Sequence, residues 1–475
     1  MVKSAVQYVC QNCAAVSAKW AGRCDQCGEW NTLTEEVAEA GPPGSLSAGP
    51  KGGASARPAP VAFTDLASDE ANVPRLVTGS AEFDRVVGGG LVPGSATLLG
   101  GDPGVGKSTL LLQIAAALSM KGHEVAYISG EEATAQIRLR AHRLGLSDKP
   151  VKLASATALR DIIASLKAEK PDVVIIDSIQ TVWSDAVPGT PGSVTQMRTC
   201  SQDLIRYAKQ SGAVMILVGH VTKDGQIAGP RVVEHMVDAV MYFEAETGRD
   251  FRLLRAVKNR FGAAQEIGVF EMTGAGLRQV ANPSALFLAG RGQEGSGSAI
   301  FAGIEGTRPL LVEFQALVSP STLAAPRRAV VGWDSARLSM LLAVLDTRCG
   351  LSFGRHDVFL NVAGGMRISE PAADLAAAAA LTSSLFDADL PADQVIFGEV
   401  ALSGQIRPVS QADARLQEAA KLGFSSALTP RSPAKALTKK ISGAPSGPVS
   451  NPNTKLTLHD LGSLGDLVRT VKGTG

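Results

Sequence analysis

Apolar runs of strand length alternate with helical patterns through the middle of the chain. The runs "ATLLG", "EVAYIS", "DVVIID" and "AVMILVG" lie between stretches whose apolar residues have helical spacing, such as "STLLLQIAAALSMKG" and "LRDIIASLKAEK". Strands that alternate with helices form parallel sheets, because each helix carries the chain back across one face of the sheet. The pattern predicts an α/β domain built on a parallel sheet.

The pattern changes on both sides of this domain, which we assign to residues 61–283. Three short runs near its end, "DAVMYFEA", "DFRLLRAVK" and "EIGVFEMT", have no helical pattern between them and predict antiparallel strands added to the sheet. Residues 284–475 are a second α/β section. Residues 36–60 are rich in Gly, Ala, Pro and Ser without an apolar period, which predicts a flexible linker after a small module at residues 1–35.

Charge and composition exclude several classes of protein. The 46 basic and 45 acidic residues leave a net charge of +1, so any surface for nucleic acid must be local. No run reaches the roughly 18 apolar residues of a membrane span, and the start "MVKSAVQYVCQNC" has no apolar signal segment. We expect a cytoplasmic protein without a membrane partner.

Four cysteines near the start have the spacing of a metal site. Cys10 and Cys13 form one CxxC pair, and Cys24 and Cys27 form a second pair after a ten-residue loop. Four thiolates complete a tetrahedral Zn²⁺ shell, and so short a segment has no core without the ion. Redox dithiols are the weaker alternative, because redox CxxC motifs usually begin a thioredoxin-like helix and these two pairs do not. The zinc module suits nucleic acid or protein as a partner equally well.

A phosphate-binding loop follows the first strand of the α/β domain. "GGDPGVGKST" lies between the strand "SATLLG" and a helix, which is the context that a P-loop requires. Its backbone N–H groups surround phosphate, Lys107 carries charge to the outer phosphates, and Ser108 ligates Mg²⁺. Asp177, at the end of "PDVVIID", supplies a second Mg²⁺ ligand. The candidate ATP-binding residues are Gly101, Asp102, Pro103, Gly104, Val105, Gly106, Lys107, Ser108 and Thr109.

Hydrolysis of ATP also needs a group that orients water. Ser178 occupies the position after Asp177 where many hexameric ATPases carry a carboxylate. Glu131 and Glu132 follow the strand "EVAYIS" at the carboxyl edge of the same sheet, where ligands collect. Alternatively, they are acids in the first turn of the next helix, where a negative charge interacts favourably with the helix dipole. We favour Glu131 as the catalytic carboxylate and leave Glu132 open.

These motifs carry a family resemblance. The core is similar to RecA-type ATPases, and nearly the whole chain resembles the bacterial RadA (Sms) family of DNA repair and recombination ATPases, in which the cysteine motif, "GDPGVGKS", "KNRFG" and the C-terminal section occur in this order. The resemblance implies that Glu131 activates water and that His220 senses the γ-phosphate. A structural histidine is the alternative for His220.

The resemblance also implies partners. It implies an ATP-driven motor on single-stranded or branched DNA that promotes branch migration or processes recombination intermediates. It implies a homo-oligomer, which we expect to be a hexameric ring, and contact with other recombination proteins such as RecA. The loops "SDAVPGTPGSVTQMR" and "TKDGQIAGPRVVEH" are the candidate DNA contacts, with Arg198, Lys223 and Arg231 as cations for phosphate. Ordinary surface loops are the alternative.

"KNRFG" follows a strand and places Lys258 and Arg260 on either side of Asn259. In the RecA-type pattern, two such cations project across the subunit interface onto the neighbour's ATP. Arginine suits this task because its planar fork binds phosphate oxygens in two places. A basic surface hairpin and a direct DNA contact are the alternatives.

The C-terminal section resembles the proteolytic domain of Lon, which uses a Ser nucleophile and a Lys base. Ala372 stands at the nucleophile position and Asp413 at the lysine position. Without a hydroxyl and an amine this chemistry is absent, so we expect an inactive Lon-protease-like domain. The expected fold class is therefore α/β: a RecA-type P-loop ATPase core, a small N-terminal zinc ribbon and this C-terminal domain. An ATP-dependent peptidase and a nucleotide-switched scaffold are the alternative functions.

Overall fold

The computed structural model of the chain describes residues 5–10, 16–17, 19–30, 32–38, 74–220, 232–245, 251–288, 295–431, 449–450 and 456–473. It divides into two compact units, Met1–Val280 and Ala281–Gly475. The division falls close to the predicted boundary after residue 283.

The N-terminal module contains a small antiparallel sheet. Its strands are β1 (Ala5–Cys10), β2 (Val16–Ser17) and β3 (Leu33–Ala38), and β1 lies in the centre. Cys10, Cys24 and Leu33 are buried together, which is a very small apolar core. β3 extends three residues into the predicted linker, and residues 39–60 of that linker lie outside the described residues.

The ATPase core is a three-layer α/β structure. Its elements are α1 (Ala81–Val86), β4 (Ala96–Gly101), α2 (Lys107–Ser119), β5 (Val125–Ser129), α3 (Thr134–Arg143), β6 (Val151–Ser155), α4 (Leu159–Glu169), β7 (Val173–Asp177), α5 (Val194–Ser211), β8 (Val214–Val218), α6 (Val232–Met236), β9 (Ala239–Ala245), β10 (Phe251–Asn259), β11 (Ile267–Thr273) and β12 (Gly276–Gln279). Among the described residues these strands form one sheet in the order β12-β11-β10-β9-β4-β8-β7-β5-β6.

The predicted strands and helices of the core are confirmed. β4, β5, β7 and β8 are buried along their whole length, because α1, α2 and α3 cover one face of the sheet and α4 and α5 cover the other. Strands buried on both faces have continuous apolar sequences, as these do.

One strand differs from the prediction. "DAVMYFEA" was expected to be antiparallel, but β9 pairs in parallel with β4 and antiparallel only with β10. The short helix α6 lies between β8 and β9, which the apolar pattern alone does not indicate. A parallel neighbour requires a crossover, and α6 belongs to that crossover. β10 and β11 are antiparallel as predicted, and β12, which was not predicted, pairs antiparallel with β11.

The second unit is also α/β. Its elements are α7 (Pro283–Phe287), β13 (Ser298–Glu305), β14 (Arg308–Pro320), β15 (Arg328–Val331), α8 (Ser335–Cys349), β16 (His356–Val362), α9 (Asp374–Phe386), β17 (Gln394–Ile396), β18 (Glu399–Val400), β19 (Ile406–Arg407), α10 (Ala412–Lys421), β20 (Ser426–Pro430), β21 (Val449–Ser450), β22 (Thr457–Leu461) and α11 (Leu464–Val471). The alanine-rich helix α9 is buried against β13 and β14. Small side chains let this helix lie close to the sheet.

Candidate active site

The P-loop connects β4 to α2. Gly104 and Gly106 have φ of +79° and +112°, a region that L side chains rarely adopt, so these glycines allow the loop to turn into the helix. Lys107 begins α2, and its Nζ donates to the carbonyl oxygens of Gly101 at 2.6 Å and of Asp102 at 2.9 Å. Burial lowers the pKa of Lys107, while the carboxylates of Asp177, Glu131 and Asp102 oppose this shift.

The residues at this loop fit a nucleotide phosphate and Mg²⁺. In the described structure no side chain caps the N-terminus of α2 and its first turn contains no acid, so its first N–H groups face the loop. Asp177 ends β7 and is 7% exposed. Its carboxylate and the Ser108 hydroxyl are hard oxygen donors, which Mg²⁺ prefers.

Glu131 and Glu132 have different surroundings. The Oε1 of Glu131 accepts hydrogen bonds from the Ser178 hydroxyl at 2.5 Å and lies 2.8 Å from Nε2 of His220. Glu132 pairs instead with Arg140 on α3. Of the two acids, Glu131 therefore faces the P-loop lysine and Glu132 braces the following helix.

The charge state of Glu131 follows from these contacts. Burial by itself would raise the pKa of this carboxyl group. Hydrogen bonds from Ser178 and His220, together with the charges of His220 and Lys107, outweigh burial and hold the pKa below its ordinary value. The side chain is 39% exposed, so the ionised carboxylate can reach water.

His220 connects the lysine to the carboxylate. Its Nδ1 lies 3.5 Å from Nζ of Lys107, while its Nε2 contacts Glu131. The residue follows β8, whereas Glu131 follows β5 and Lys107 follows β4. Three loops at the carboxyl edge of one sheet thus bring these predicted residues together.

Tyr127 is a site residue that the sequence analysis did not include. It lies within β5, is 1% exposed, and donates a hydrogen bond from its hydroxyl to Oδ2 of Asp177. Its sequence signal is a phenol between the apolar residues Ala126 and Ile128 of a buried strand. A buried phenol needs a polar partner, and the partner here is the predicted Mg²⁺ ligand.

Lys258 and Arg260 lie apart from this cluster and differ from each other. Nζ of Lys258 donates to the carbonyl oxygens of Glu234 at 2.9 Å and Val237 at 2.8 Å, at the end of α6 in the same chain. The Arg260 side chain is 58% exposed and has Asp238 at 3.5 Å. Lys258 is held by carbonyl groups of its own chain, whereas Arg260 extends toward solvent.

The "KNRFG" turn is held on the loop that follows α1. Nη2 of Arg75 donates to the Phe261 carbonyl at 2.8 Å, and Nη1 of the same residue donates to the Gly88 carbonyl. The Asn259 side chain donates to the Val86 carbonyl at 3.2 Å and accepts from the Phe261 N–H at 2.9 Å. These contacts fix the direction in which Arg260 points.

The predicted DNA-contact loops are only partly described. In the first, the Gln196 side chain donates to the carbonyls of Ser184 at 2.9 Å and Val187 at 2.8 Å, which folds the loop onto α5. Arg198 is exposed on α5. Lys223 and Arg231 of the second loop lie outside the described residues.

The cysteine cluster gathers three of the four predicted zinc ligands. The sulfur atoms of Cys10, Cys24 and Cys27 lie within 4.8 Å of one another, with Cys10 and Cys27 at 3.6 Å. Cys13 lies outside the described residues. Converging thiols with CxxC spacing fit a tetrahedral Zn²⁺ ion.

The C-terminal unit contains buried ion pairs near the positions of the lost protease dyad. Ala372 is 1% exposed beside α9, and Asp413 is exposed in the first turn of α10. The fully buried Arg415 pairs with Glu370 and donates to the Ala302 carbonyl at 2.7 Å. The neighbourhood is therefore a structural salt-bridge network.

Comparisons with known proteins agree with this description. Residues 73–226 match the AAA domain, residues 8–35 the rubredoxin metal binding domain, and residues 327–433 the subunit ChlI of Mg-chelatase. The predicted α/β fold class, with its ATPase core, zinc ribbon and Lon-like C-terminal domain, is confirmed. ATP, Mg²⁺ and Zn²⁺ are confirmed as the cofactors that these domains use.

Curated relatives cover almost the whole chain. A protein of Brucella abortus named DNA repair protein RadA is 60% identical over 90% of this chain and 92% of its own length. Proteins of the same name from Rickettsia bellii and Pseudomonas aeruginosa are 49% and 50% identical, over 91% and 90% of this chain and 95% and 94% of theirs. Within the part of the chain that the structure describes, no helix is long and apolar enough to cross a membrane.

Proposed function

This chain belongs to the RadA family of DNA repair proteins, and from that premise we propose that it is a DNA-dependent ATPase that drives branch migration or the processing of recombination intermediates on single-stranded DNA. It is an ATP hydrolase, and its C-terminal domain is not a protease. The observation that supports a hydrolytic role most directly is the contact of Glu131 with His220, which in turn lies against the P-loop lysine.

The roles of the site residues follow from their positions. The N–H groups at the start of α2 and the ammonium of Lys107 bind the phosphates, and Ser108 and Asp177 hold Mg²⁺. When bound, Mg²⁺ neutralises charge on the phosphate oxygens. Glu131, ionised and partly exposed, orients a water molecule and accepts its proton.

His220 couples the phosphate site to Glu131. In the described structure its two ring nitrogens face Lys107 and Glu131. When Lys107 turns to the outer phosphates, the imidazole of His220 loses its contact with the lysine. Its position then depends on whether the terminal phosphate is present. This movement would report the nucleotide state to the loop after β8, which is one of the candidate DNA contacts.

In this proposal, Arg260 contacts the ATP that the neighbouring subunit binds. Its side chain is exposed on a turn that Arg75 and Asn259 hold in place, away from its own P-loop. Lys258 was predicted to act beside it. Its three carbonyl contacts, with Glu234, His235 and Val237, support a first role as the anchor of this turn within its own subunit.

The remaining parts of the proposal concern partners. An arginine that acts on the ATP of a neighbouring subunit, called an arginine finger, requires a homo-oligomer. We propose a hexameric ring with the loops after β7 and β8 facing DNA in its lumen. Single-stranded or branched DNA is the proposed substrate, and other recombination proteins such as RecA are proposed partners. We place the protein in the cytoplasm, where a reducing environment keeps zinc-binding thiols reduced.

The central test is the ATPase rate of the full-length protein with and without single-stranded DNA. We expect DNA to stimulate turnover. Lys107→Ala should weaken nucleotide binding and abolish turnover, whereas Glu131→Gln should keep ATP bound and lower turnover by roughly 10²- to 10⁴-fold.

Glu132→Gln is the matched control, because its carboxylate pairs with Arg140 and should be dispensable for chemistry. Normal turnover in Glu131→Gln with loss in Glu132→Gln would move the assignment by one residue. An ATPase rate that does not change when single-stranded DNA is added would favour a nucleotide-switched scaffold. ATP-dependent cleavage of unfolded protein by the pure chain would contradict the loss of protease chemistry.

A further inference from the structure

The Tyr127 phenol lies between two elements that are distant in sequence. Ser108 is in the first turn of α2 and Asp177 ends β7, while Tyr127 is on β5 beside β7 in the sheet. The tyrosine ring belongs to the apolar cluster on the α2 face of the sheet. Its hydroxyl is thus a polar group brought to the site by an otherwise apolar side chain.

The phenol contacts a predicted Mg²⁺ ligand directly. It donates a hydrogen bond to Oδ2 of Asp177. A phenol ordinarily ionises only at about pH 10, so the hydroxyl keeps its proton and remains a donor.

A donor at this place determines what Asp177 can do. While Oδ2 accepts the hydrogen bond from the Tyr127 hydroxyl, Oδ1 stays available for a cation, and rotation of the carboxylate would break the hydrogen bond. Side chains that hold metal ligands in this way set ligand orientation, and their loss typically costs about 10- to 100-fold in metal affinity.

We propose that Tyr127 is a positioning residue that aligns Asp177 for Mg²⁺. The proposal rests on the proposed nucleotide site and adds to it a buried residue that holds one of the metal ligands. Tyr127 does not touch the reacting atoms, and its effect passes through Asp177.

The test compares Tyr127→Phe with wild type in the full-length protein. ADP binding is measured by calorimetry, first in EDTA and then over a Mg²⁺ titration. Phenylalanine keeps the ring and removes only the hydroxyl. We expect the half-saturating Mg²⁺ concentration to rise about tenfold, while ADP affinity in EDTA stays within about twofold.

Tyr207→Phe is the matched control. Tyr207 is also buried, and its hydroxyl donates to the Leu166 carbonyl at 2.8 Å, away from the P-loop. This variant should lose a comparable hydrogen bond without any change in Mg²⁺ dependence. An unchanged Mg²⁺ titration in Tyr127→Phe would overturn the proposal, as would equal weakening of ADP with and without Mg²⁺. If wild type failed to bind ADP, the nucleotide site itself would be wrong.

A second measurement leaves the fold unaltered. The chain contains four tyrosines, so 3-fluorotyrosine labelling yields few fluorine resonances, and Tyr→Phe variants assign them. Adding Mg²⁺ to the ADP-bound protein should shift the Tyr127 resonance and leave the Tyr207 resonance in place. A Tyr127 resonance that does not respond to Mg²⁺ would contradict its contact with a metal ligand.

Discussion

At the scale of single residues, the site depends on how one carboxylate is surrounded. Glu131 is partly buried, which disfavours its charge, yet Ser178 and His220 donate to it and keep its pKa low. The lowered pKa keeps the carboxylate ionised at neutral pH. Ser178 thus supports a carboxylate supplied from the neighbouring strand, β5, instead of supplying one itself.

The first prediction concerns a substitution that removes the Ser178 donor. In Ser178→Ala the burial of Glu131 remains while one hydrogen bond is lost, so its pKa should rise. Since the base must be deprotonated, the acid limb of the kcat profile should move to higher pH, with turnover near pH 8 nearly unchanged. The measurement is DNA-stimulated ATPase from about pH 4 to pH 8, because an ordinary glutamate titrates at about pH 4.3 and the acid limb must lie within the range.

Ser165→Ala provides the control, because Ser165 is exposed on α4 and its hydroxyl donates to the Asp161 carbonyl in the same helix. Its profile should match wild type. An acid limb that stays in place in Ser178→Ala would show that the serine does not set the pKa of the base.

At the scale of elements, β10 ends in a turn whose backbone is tightly packed. A Cβ on Gly262 would lie 2.8 Å from Cα of Gly88, so the two loops approach as closely as glycines allow. The nearest atom belongs to the backbone, which cannot move aside as a flexible side chain can. The position of Arg260 therefore depends on the loop after α1 as well as on its own strand.

The second prediction concerns the close contact between Gly262 and Gly88. Gly262→Ala should displace the turn and misplace Arg260, since the clash is with backbone. A displacement of about 1 Å costs on the order of 10² in turnover, whereas nucleotide binding should stay near wild type. Steady-state ATPase and ADP calorimetry measure the two quantities.

Gly274→Ala is the control, because a Cβ there meets nothing within 4 Å. It should leave both quantities unchanged. Full turnover in Gly262→Ala would mean that the turn tolerates movement and that Arg260 needs no fixed direction.

At the scale of the whole molecule, the zinc module has its own sheet and its own small core. The third prediction is that Cys24→Ala, or removal of zinc, unfolds this module and leaves ADP binding intact, because no contact of the P-loop among the described residues involves the module. Zinc release and near-ultraviolet circular dichroism follow the module, and calorimetry follows the nucleotide. Simultaneous loss of zinc and ADP binding would contradict this independence.

The fourth prediction tests assembly. Arg260→Ala and Lys107→Ala proteins, each inactive alone, should regain DNA-stimulated ATPase when mixed. In an equal mixture about a quarter of head-to-tail interfaces join an intact P-loop to an intact finger. Removal of a finger in trans costs on the order of 10³ in turnover, so even this fraction is readily detected. No recovery between subunits that exchange freely would favour a DNA contact for Arg260.

The sequence by itself determined the elements of the core, the P-loop, the paired cysteines and the missing protease residues. These features depend on residues close together in the chain. An apolar period selects strand or helix, a glycine-rich loop between strand and helix forms a phosphate site, and two cysteines three positions apart lie on one turn. Such local rules need no knowledge of distant partners.

Only the tertiary structure decided which side chains meet. It placed Glu131 on His220 and Glu132 on Arg140, although the two acids are adjacent in sequence. It turned β9 parallel to β4 and brought Tyr127 to Asp177. The physical reason is that a side chain's direction at a strand end follows from the path of the backbone and from partners tens of residues away. Those contacts form only when the sheet assembles.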